Sequence, residues 1–118
     1  MVSDKHPRIL IIDDEPSIVK LLSRLLASMQ LEVDTALSGG EGIQKMSANA
    51  YSLVLTDIKM PGITGIDVLG YVRDQPGKPT PVIAMSGTPW LLEESAFDAV
   101  LAKPFSRHDL IAVMKSFI

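Results

Sequence analysis

The feature that most limits how this chain can fold is a repeated pairing of a short apolar run with a stretch of helical periodicity. The first run, Arg8–Ile12, is rich in isoleucine and ends abruptly at Asp13. An uninterrupted apolar run of this length is typical of a strand that is buried on both faces. Comparable runs predict four further strands, at residues 31–36, 51–56, 81–85 and 99–102.

The stretches that follow the runs have the patterns of amphipathic helices. Pro16 predicts the start of the first helix, because its fixed backbone angle suits a first helical turn. Other helices are predicted from about 38 to 48, from about 65 to 74, and from Ser106 onward, where Ser106 and Asp109 resemble a capping box. The inner faces are predicted to include Ile18, Leu21, Leu22, Leu25, Leu26 and Met29 in the first helix, and Ile66, Leu69 and Val72 in the third.

Strands that alternate with helices predict a doubly wound α/β fold, in which a five-stranded parallel sheet carries helices on both faces. The length of 118 residues fits one ordinary domain, so we expect residues 1–118 to form a single domain. Lys and Arg number 11 against 14 Asp and Glu, a net charge of −3, which argues against a nucleic-acid surface. The absence of cysteine excludes disulfides and cysteine-based zinc sites. With no signal peptide and no run near the roughly 18 apolar residues of a membrane span, we expect a cytoplasmic protein.

Polar side chains follow four of the five predicted strands. In open α/β sheets, ligands bind beyond the carboxyl ends of the strands. The first strand leads to Asp13 and Asp14, the third to Asp57, the fourth to Ser86 and the fifth to Lys103. We therefore expect three carboxylates, a hydroxyl and an ammonium group at one edge of the sheet.

Three clustered carboxylates repel one another, at a cost of roughly 4 kcal/mol for each pair at about 4 Å and an effective dielectric constant of 20. A divalent cation would reverse this repulsion, and a set of oxygen ligands selects Mg²⁺, or Mn²⁺, over Zn²⁺. One carboxylate would remain free to attack phosphorus and form an aspartyl-phosphate. Lys103 and the Ser86 hydroxyl would then stabilise the phosphoryl oxygens.

Four motifs in this order resemble the receiver domain of bacterial two-component response regulators. They are residues 11–16 (IIDDEP), 55–65 (LTDIKMPGITG), 85–87 (MSG) and 103–105 (KPF). The resemblance extends over about residues 8–117 and implies a flavodoxin-like strand order of 2-1-3-4-5. It also implies that the chain is a receiver domain without an output domain.

The resemblance assigns roles to the motif residues. Asp57 would accept a phosphoryl group from a histidine kinase or a phosphotransfer protein. Asp14 would bind Mg²⁺ directly and Asp13 partly through water, while the Asp57 carboxylate and the Lys59 backbone carbonyl would complete the ligands from the protein.

The phosphoryl group would also have its own ligands. Ser86 would be the switch hydroxyl that moves to it, and Lys103 would neutralise its charge. The resemblance further implies a cis peptide bond between Lys103 and Pro104.

Two departures from the family pattern concern signalling. The switch aromatic that usually lies three positions before the lysine is replaced by Val100, so the usual coupling through that ring cannot operate. Only 16 residues separate Ser86 from Lys103, several fewer than the family typically has. We therefore predict that the fourth helix in chain order, between the fourth and fifth strands, is short or irregular.

The resemblance implies a downstream protein partner, or an output domain outside this chain, and dimerisation on phosphorylation; neither nucleic acid nor a membrane is an expected partner. One alternative is a receiver-like docking module that depends little on phosphorylation, which Val100 favours. A second is a Mg²⁺-dependent phosphatase with an aspartate nucleophile. Hydrolases of the haloacid dehalogenase type need Asp-x-Asp, whereas this chain has Asp57-Ile58-Lys59.

Overall fold

Five strands and four helices make up the part of the chain that the computed structural model describes, residues 7–77, 79–89 and 96–118. All strand pairings are parallel, and the order in the sheet is β2-β1-β3-β4-β5, which confirms the predicted fold class. The strands are β1 (Arg8–Ile12), β2 (Glu32–Ala36), β3 (Leu53–Asp57), β4 (Val82–Ser86) and β5 (Ala99–Ala102). The helices are α1 (Pro16–Ala27), α2 (Gly39–Ala48), α3 (Gly65–Asp74) and α4 (Arg107–Lys115).

The central strands β1, β3 and β4 are buried on both faces, as the apolar run in β1 predicts. Ile9 and Ile11 belong to one core cluster together with side chains of α1 and α4. Leu10 and Ile12 point to the opposite face and belong to a second cluster with side chains of α3. Because successive side chains of a strand alternate between faces, a strand between two helical layers must be apolar at every position.

The capping box that the sequence predicts at the start of the last helix is present. Ser106 accepts a hydrogen bond from the backbone of Asp109, whose side chain accepts one from the backbone of Ser106. Thr64 and Asp67 form an equivalent capping box at the start of α3. No helix in the described ranges is both long enough and apolar enough to cross a membrane.

Two of the predicted inner-face positions are wrong. Ile66 is 56% exposed and Leu21 is 52% exposed, whereas Val68 of α3 and Val19 of α1 are buried. In α3 the reason is the contact of Gly65 with the end of β3, which turns Gly65, Val68 and Val72 toward the sheet. Ile66 follows Gly65 by about 100° around the helix and therefore faces outward. The predicted short or irregular helix before β5 falls mainly on residues 90–95, which lie outside the described residues.

A polar network joins α3, β4 and the residues that precede β5. The Asp98 carboxylate accepts hydrogen bonds from the backbone N–H of Val82, at 2.7 Å, and from the Arg73 guanidinium, at 2.9 Å. The same guanidinium nitrogen donates to the Ala96 carbonyl at 2.8 Å. Asp98 therefore satisfies a backbone donor at the start of a fully buried strand and ties the chain leading to β5 against it.

Replacing Asp98 with alanine should lower the free energy of unfolding by about 2 kcal/mol, because the Val82 N–H would lose its acceptor in a buried setting. Urea unfolding followed by circular dichroism measures the change. Asp74→Ala is the matched control: Asp74 is an exposed aspartate at the end of α3, where a change within about 0.5 kcal/mol is expected. Equal changes in the free energy of unfolding for the two variants would contradict this role of Asp98.

Candidate functional site

The register of the central strands explains why residues far apart in sequence meet at one edge of the sheet. Ile12 of β1 pairs with Thr56 of β3, so the residues that follow them, Asp13 and Asp57, are neighbours. On the other side of β3, β4 and β5 end side by side, with Ser86 paired to Ala102. The backbone N–H of Lys103 donates to the Ser86 carbonyl at 2.7 Å, which places the lysine next to that strand end.

Asp13, Asp14 and Asp57 form the acidic cluster that the sequence predicts. One carboxylate oxygen from each lies within 4.8 Å of the others. Asp13 is fully buried, Asp57 is partly buried and Asp14 is exposed, so the cluster runs from the protein interior to its surface. Three carboxylates that converge in this way offer the hard oxygen ligands that Mg²⁺ prefers, and the cluster therefore fits the predicted metal.

Lys103 is the cation that contacts two members of the acidic cluster. Its ammonium nitrogen lies 3.1 Å from an oxygen of Asp57 and 3.4 Å from an oxygen of Asp13. Burial lowers the pKa of Lys103, but its hydrogen bonds and charge attraction to the two carboxylates outweigh burial and raise the pKa above its ordinary value. Lys103 is therefore a permanent positive charge at neutral pH.

Asp13 is the most buried of the three carboxylates, and its burial affects its pKa. Desolvation raises the pKa of Asp13, and the charge of Asp57 adds to that effect. A hydrogen bond from the backbone N–H of Glu15, at 3.0 Å, and the charge of Lys103 act in the opposite direction. The side chain is thus held in place by two donors on different elements.

The two oxygens of Asp57 have different surroundings. Oδ1 accepts hydrogen bonds from the backbone N–H of Ile58, at 2.9 Å, and from Lys103, at 3.1 Å. Oδ2 accepts no hydrogen bond from any other described residue. The carboxylate is therefore held by one oxygen, while the lone pairs of the other are available.

A cavity of about 210 Å³ opens over Asp57 and is shared by several predicted site residues. The Ser86 hydroxyl lies in its wall and accepts a hydrogen bond from the backbone N–H of Thr88 at 3.0 Å. Thr88, which is not among the predicted site residues, also lines the cavity. The available sequence signal is its position two residues after a serine, since such hydroxyls often form local turns. The cavity is lined by Asp57, Ile58, Lys59, Ser86, Gly87, Thr88 and Lys103.

The remaining predicted residues lie near the cavity or behind it. Lys59 is part of the cavity lining, and the metal-binding role of its carbonyl stays a prediction. Val100 is partly buried in β5, paired with Ala84, so it occupies the sheet beside the site. The peptide bond between Lys103 and Pro104 is cis, as expected.

Comparison with known protein families gives a match over nearly the whole chain. The sequence model of the response regulator receiver domain matches residues 9–115. The Transcriptional regulatory protein CpxR homolog of Haemophilus influenzae is 34% identical over 114 residues, which cover 94% of this chain and 50% of that protein. The Transcriptional regulatory protein ResD of Bacillus subtilis is 32% identical over 123 residues, which cover 100% of this chain and 50% of that protein. The chain thus spans about half the length of these curated relatives.

A solved structure supports the same relationship. The response regulator protein TrrA of Thermotoga maritima, crystallised in complex with Mg²⁺-BeF, superposes with a TM-score of 0.87 and 34% sequence identity. The superposition covers 95% of this chain and 99% of that chain. Fold and sequence therefore lead to one family.

Proposed function

This chain belongs to the response regulator receiver domain family, and on that premise we propose that Asp57 is its phosphoryl acceptor. A receiver domain is a module of phosphorylation-controlled signalling and not a classical enzyme. The comparisons do not favour the docking-module or phosphatase alternatives. The observation that carries the proposal is the position of Asp57, which lines the cavity, belongs to the acidic cluster with Asp13 and Asp14, and lies 3.1 Å from the Lys103 ammonium group.

The acceptor reaction follows from the surroundings of Asp57. A lone pair of its Oδ2 forms a bond to phosphorus, and the bond between phosphorus and the donor breaks, with its electron pair leaving on the donor group. Hydrogen bonds from Ile58 and Lys103 to Oδ1 orient the carboxylate for this attack. Lys103 and the Ser86 hydroxyl are then close enough to the cavity to stabilise the phosphoryl oxygens.

The metal site is part of the same proposal. Asp13, Asp14, Asp57 and the Lys59 carbonyl are the groups that would hold Mg²⁺. When bound, Mg²⁺ supplies positive charge that offsets both the carboxylates and the phosphoryl oxygens. TrrA was crystallised with Mg²⁺, so Mg²⁺ is the ion we propose; Mn²⁺ has no comparable support.

The wider role is proposed by analogy with the family. A sensor histidine kinase or a phosphotransfer protein would donate the phosphoryl group in the cytoplasm, and the chain itself would catalyse the transfer and its later hydrolysis. Phosphorylation would change the surface offered to a downstream protein, to an output domain or to a second copy of the chain. With Val100 in place of an aromatic residue, that change should not depend on the turning of a buried ring.

Incubation of the protein with acetyl phosphate and Mg²⁺ tests the acceptor directly. We expect a mass increase of one phosphoryl group on the peptide that contains Asp57, stable in acid and labile in base. The increase should be lost with a metal chelator and in Asp57→Asn, and it should persist in Asp74→Asn, the matched exposed control.

Other outcomes would overturn the proposal. Turnover of a phosphomonoester without a trapped intermediate would indicate a phosphatase. Failure of the folded protein to take up a phosphoryl group, with partner binding intact, would indicate a docking module. Calorimetric loss of Mg²⁺ binding in Asp14→Ala is the separate check on the metal ligands.

A further inference from the structure

We propose that Thr88 supplies a second hydroxyl to the phosphoryl group on Asp57, beside the hydroxyl of Ser86. The inference rests on the proposed function and adds a residue to the group that binds the phosphoryl oxygens. It starts from one observation: two hydroxyl side chains lie next to each other in the wall of the cavity that also contains Asp57 and Lys103.

The geometry leaves both hydroxyl protons available. The backbone N–H of Thr88 donates to the Ser86 oxygen at 3.0 Å, which positions that oxygen without using its proton. The two hydroxyl oxygens are 3.4 Å apart, longer than the 2.5–3.0 Å of an ordinary O–H···O hydrogen bond. Each proton can therefore rotate toward a stronger acceptor that enters the cavity.

A phosphoryl group is such an acceptor, and the proposed function gives it two side-chain donors, Lys103 and Ser86, beside Mg²⁺. It carries three strongly accepting outer oxygens. The Lys103 ammonium group already contacts the carboxylates of Asp57 and Asp13, so it cannot direct all its N–H groups to the phosphoryl oxygens. A second hydroxyl next to Ser86 would add a third side-chain donor for these oxygens.

The local sequence also holds Thr88 in position before any ligand arrives. Its β-branched side chain has restricted rotation about the first side-chain bond. Pro89 follows directly and limits the backbone of Thr88 to extended conformations. Little conformational entropy is then lost when the hydroxyl is used, which makes its contribution larger.

The test compares binding of beryllofluoride, a phosphoryl mimic, in the presence of Mg²⁺. Thr88→Val removes the hydroxyl and keeps the shape, so the affinity should fall about two- to tenfold, the value of one hydrogen bond. Thr88→Ser keeps the hydroxyl and should remain within about twofold of the unmodified protein. Thr88→Ala serves in place of the valine variant if that variant does not fold.

A double-mutant cycle with Ser86→Ala separates direct contact from an effect through Ser86. If Thr88 binds the mimic itself, Thr88→Val should lower the affinity for beryllofluoride in the Ser86→Ala background by at least as much as it does when Ser86 is present. A loss that disappears in that background would overturn the inference, since Thr88 would then act only by positioning Ser86. An unchanged affinity in Thr88→Val would overturn it as well.

The outcome also separates this inference from the proposed function. If the unmodified protein binds beryllofluoride and Thr88→Val binds it equally well, only the role of Thr88 is wrong. If the folded, unmodified protein neither binds the mimic nor takes up a phosphoryl group from acetyl phosphate, the proposed function fails, and the inference fails with it.

Discussion

Replacement of Lys103 by methionine is expected to slow phosphoryl uptake by Asp57 about 100-fold, the usual cost of removing one strong donor from a site of developing negative charge. Methionine keeps most of the length and volume of the side chain but removes the ammonium group. That group lies 3.1 Å from Asp57 and 3.4 Å from Asp13, so its loss removes positive charge from where the phosphoryl oxygens would lie. Uptake from acetyl phosphate in the presence of Mg²⁺, followed by mass spectrometry, measures the rate.

The same substitution should change metal affinity in the opposite direction. The ammonium group repels a cation at the acidic cluster, so calorimetry should show Mg²⁺ binding severalfold more tightly to Lys103→Met. Lys115→Met, which changes an exposed lysine in the last turn of α4, is the matched control and should leave both measurements unchanged. A variant that loses Mg²⁺ binding and phosphoryl uptake together would point to a collapsed site and contradict this assignment.

Gly65→Ala should lower the free energy of unfolding by about 3 kcal/mol, at the upper end of the usual cost of overpacking. A Cβ atom at this position would lie 2.3 Å from the carbonyl oxygen of Asp57 and 3.0 Å from the Cα of Ile58. Both are backbone atoms, which cannot rotate aside as a side chain could. Because relief of the clash would move the end of β3, we also expect slower phosphoryl uptake by Asp57.

Gly70 offers the same substitution in the same helix without the clash. Nothing lies within 4 Å of a Cβ atom at Gly70, which is exposed in the middle of α3. Gly70→Ala should therefore raise the free energy of unfolding by about 0.5–1 kcal/mol, through the higher helix propensity of alanine. Denaturant unfolding of the two variants measures both changes, and shifts of the same sign would contradict the close approach of α3 to β3.

Much of the fold could be predicted because the relevant signals are local. The apolar run at Arg8–Ile12 requires a strand covered on both faces, and the structure places a helical layer on each side of it. The capping residues of the last helix were predictable for the same reason, since Ser106 and Asp109 are three residues apart and contact each other within one turn. Such features depend on neighbours in sequence and not on the rest of the molecule.

The rotation of the helices depends on contacts from distant parts of the chain. Periodicity establishes which residues share a face, but it does not specify which face meets the sheet when apolar side chains are spread around the helix. Ile66 and Leu21 are exposed because residues beside them pack inward instead. In α3 the deciding contact is between Gly65 and the backbone at the end of β3, which no local pattern reveals.

The sequence by itself determined which chemical groups stand at the strand ends, because a carboxylate, hydroxyl or ammonium group directly after a buried strand must emerge at that edge of the sheet. Only the tertiary structure determined how deeply each group is buried and which groups it contacts. It buries Asp13 and exposes Asp14, leaves one oxygen of Asp57 without a donor among the described residues, and sets the Thr88 hydroxyl beside that of Ser86. These differences arise from distances between side chains on separate strands and loops, and such distances exist only once the sheet has formed.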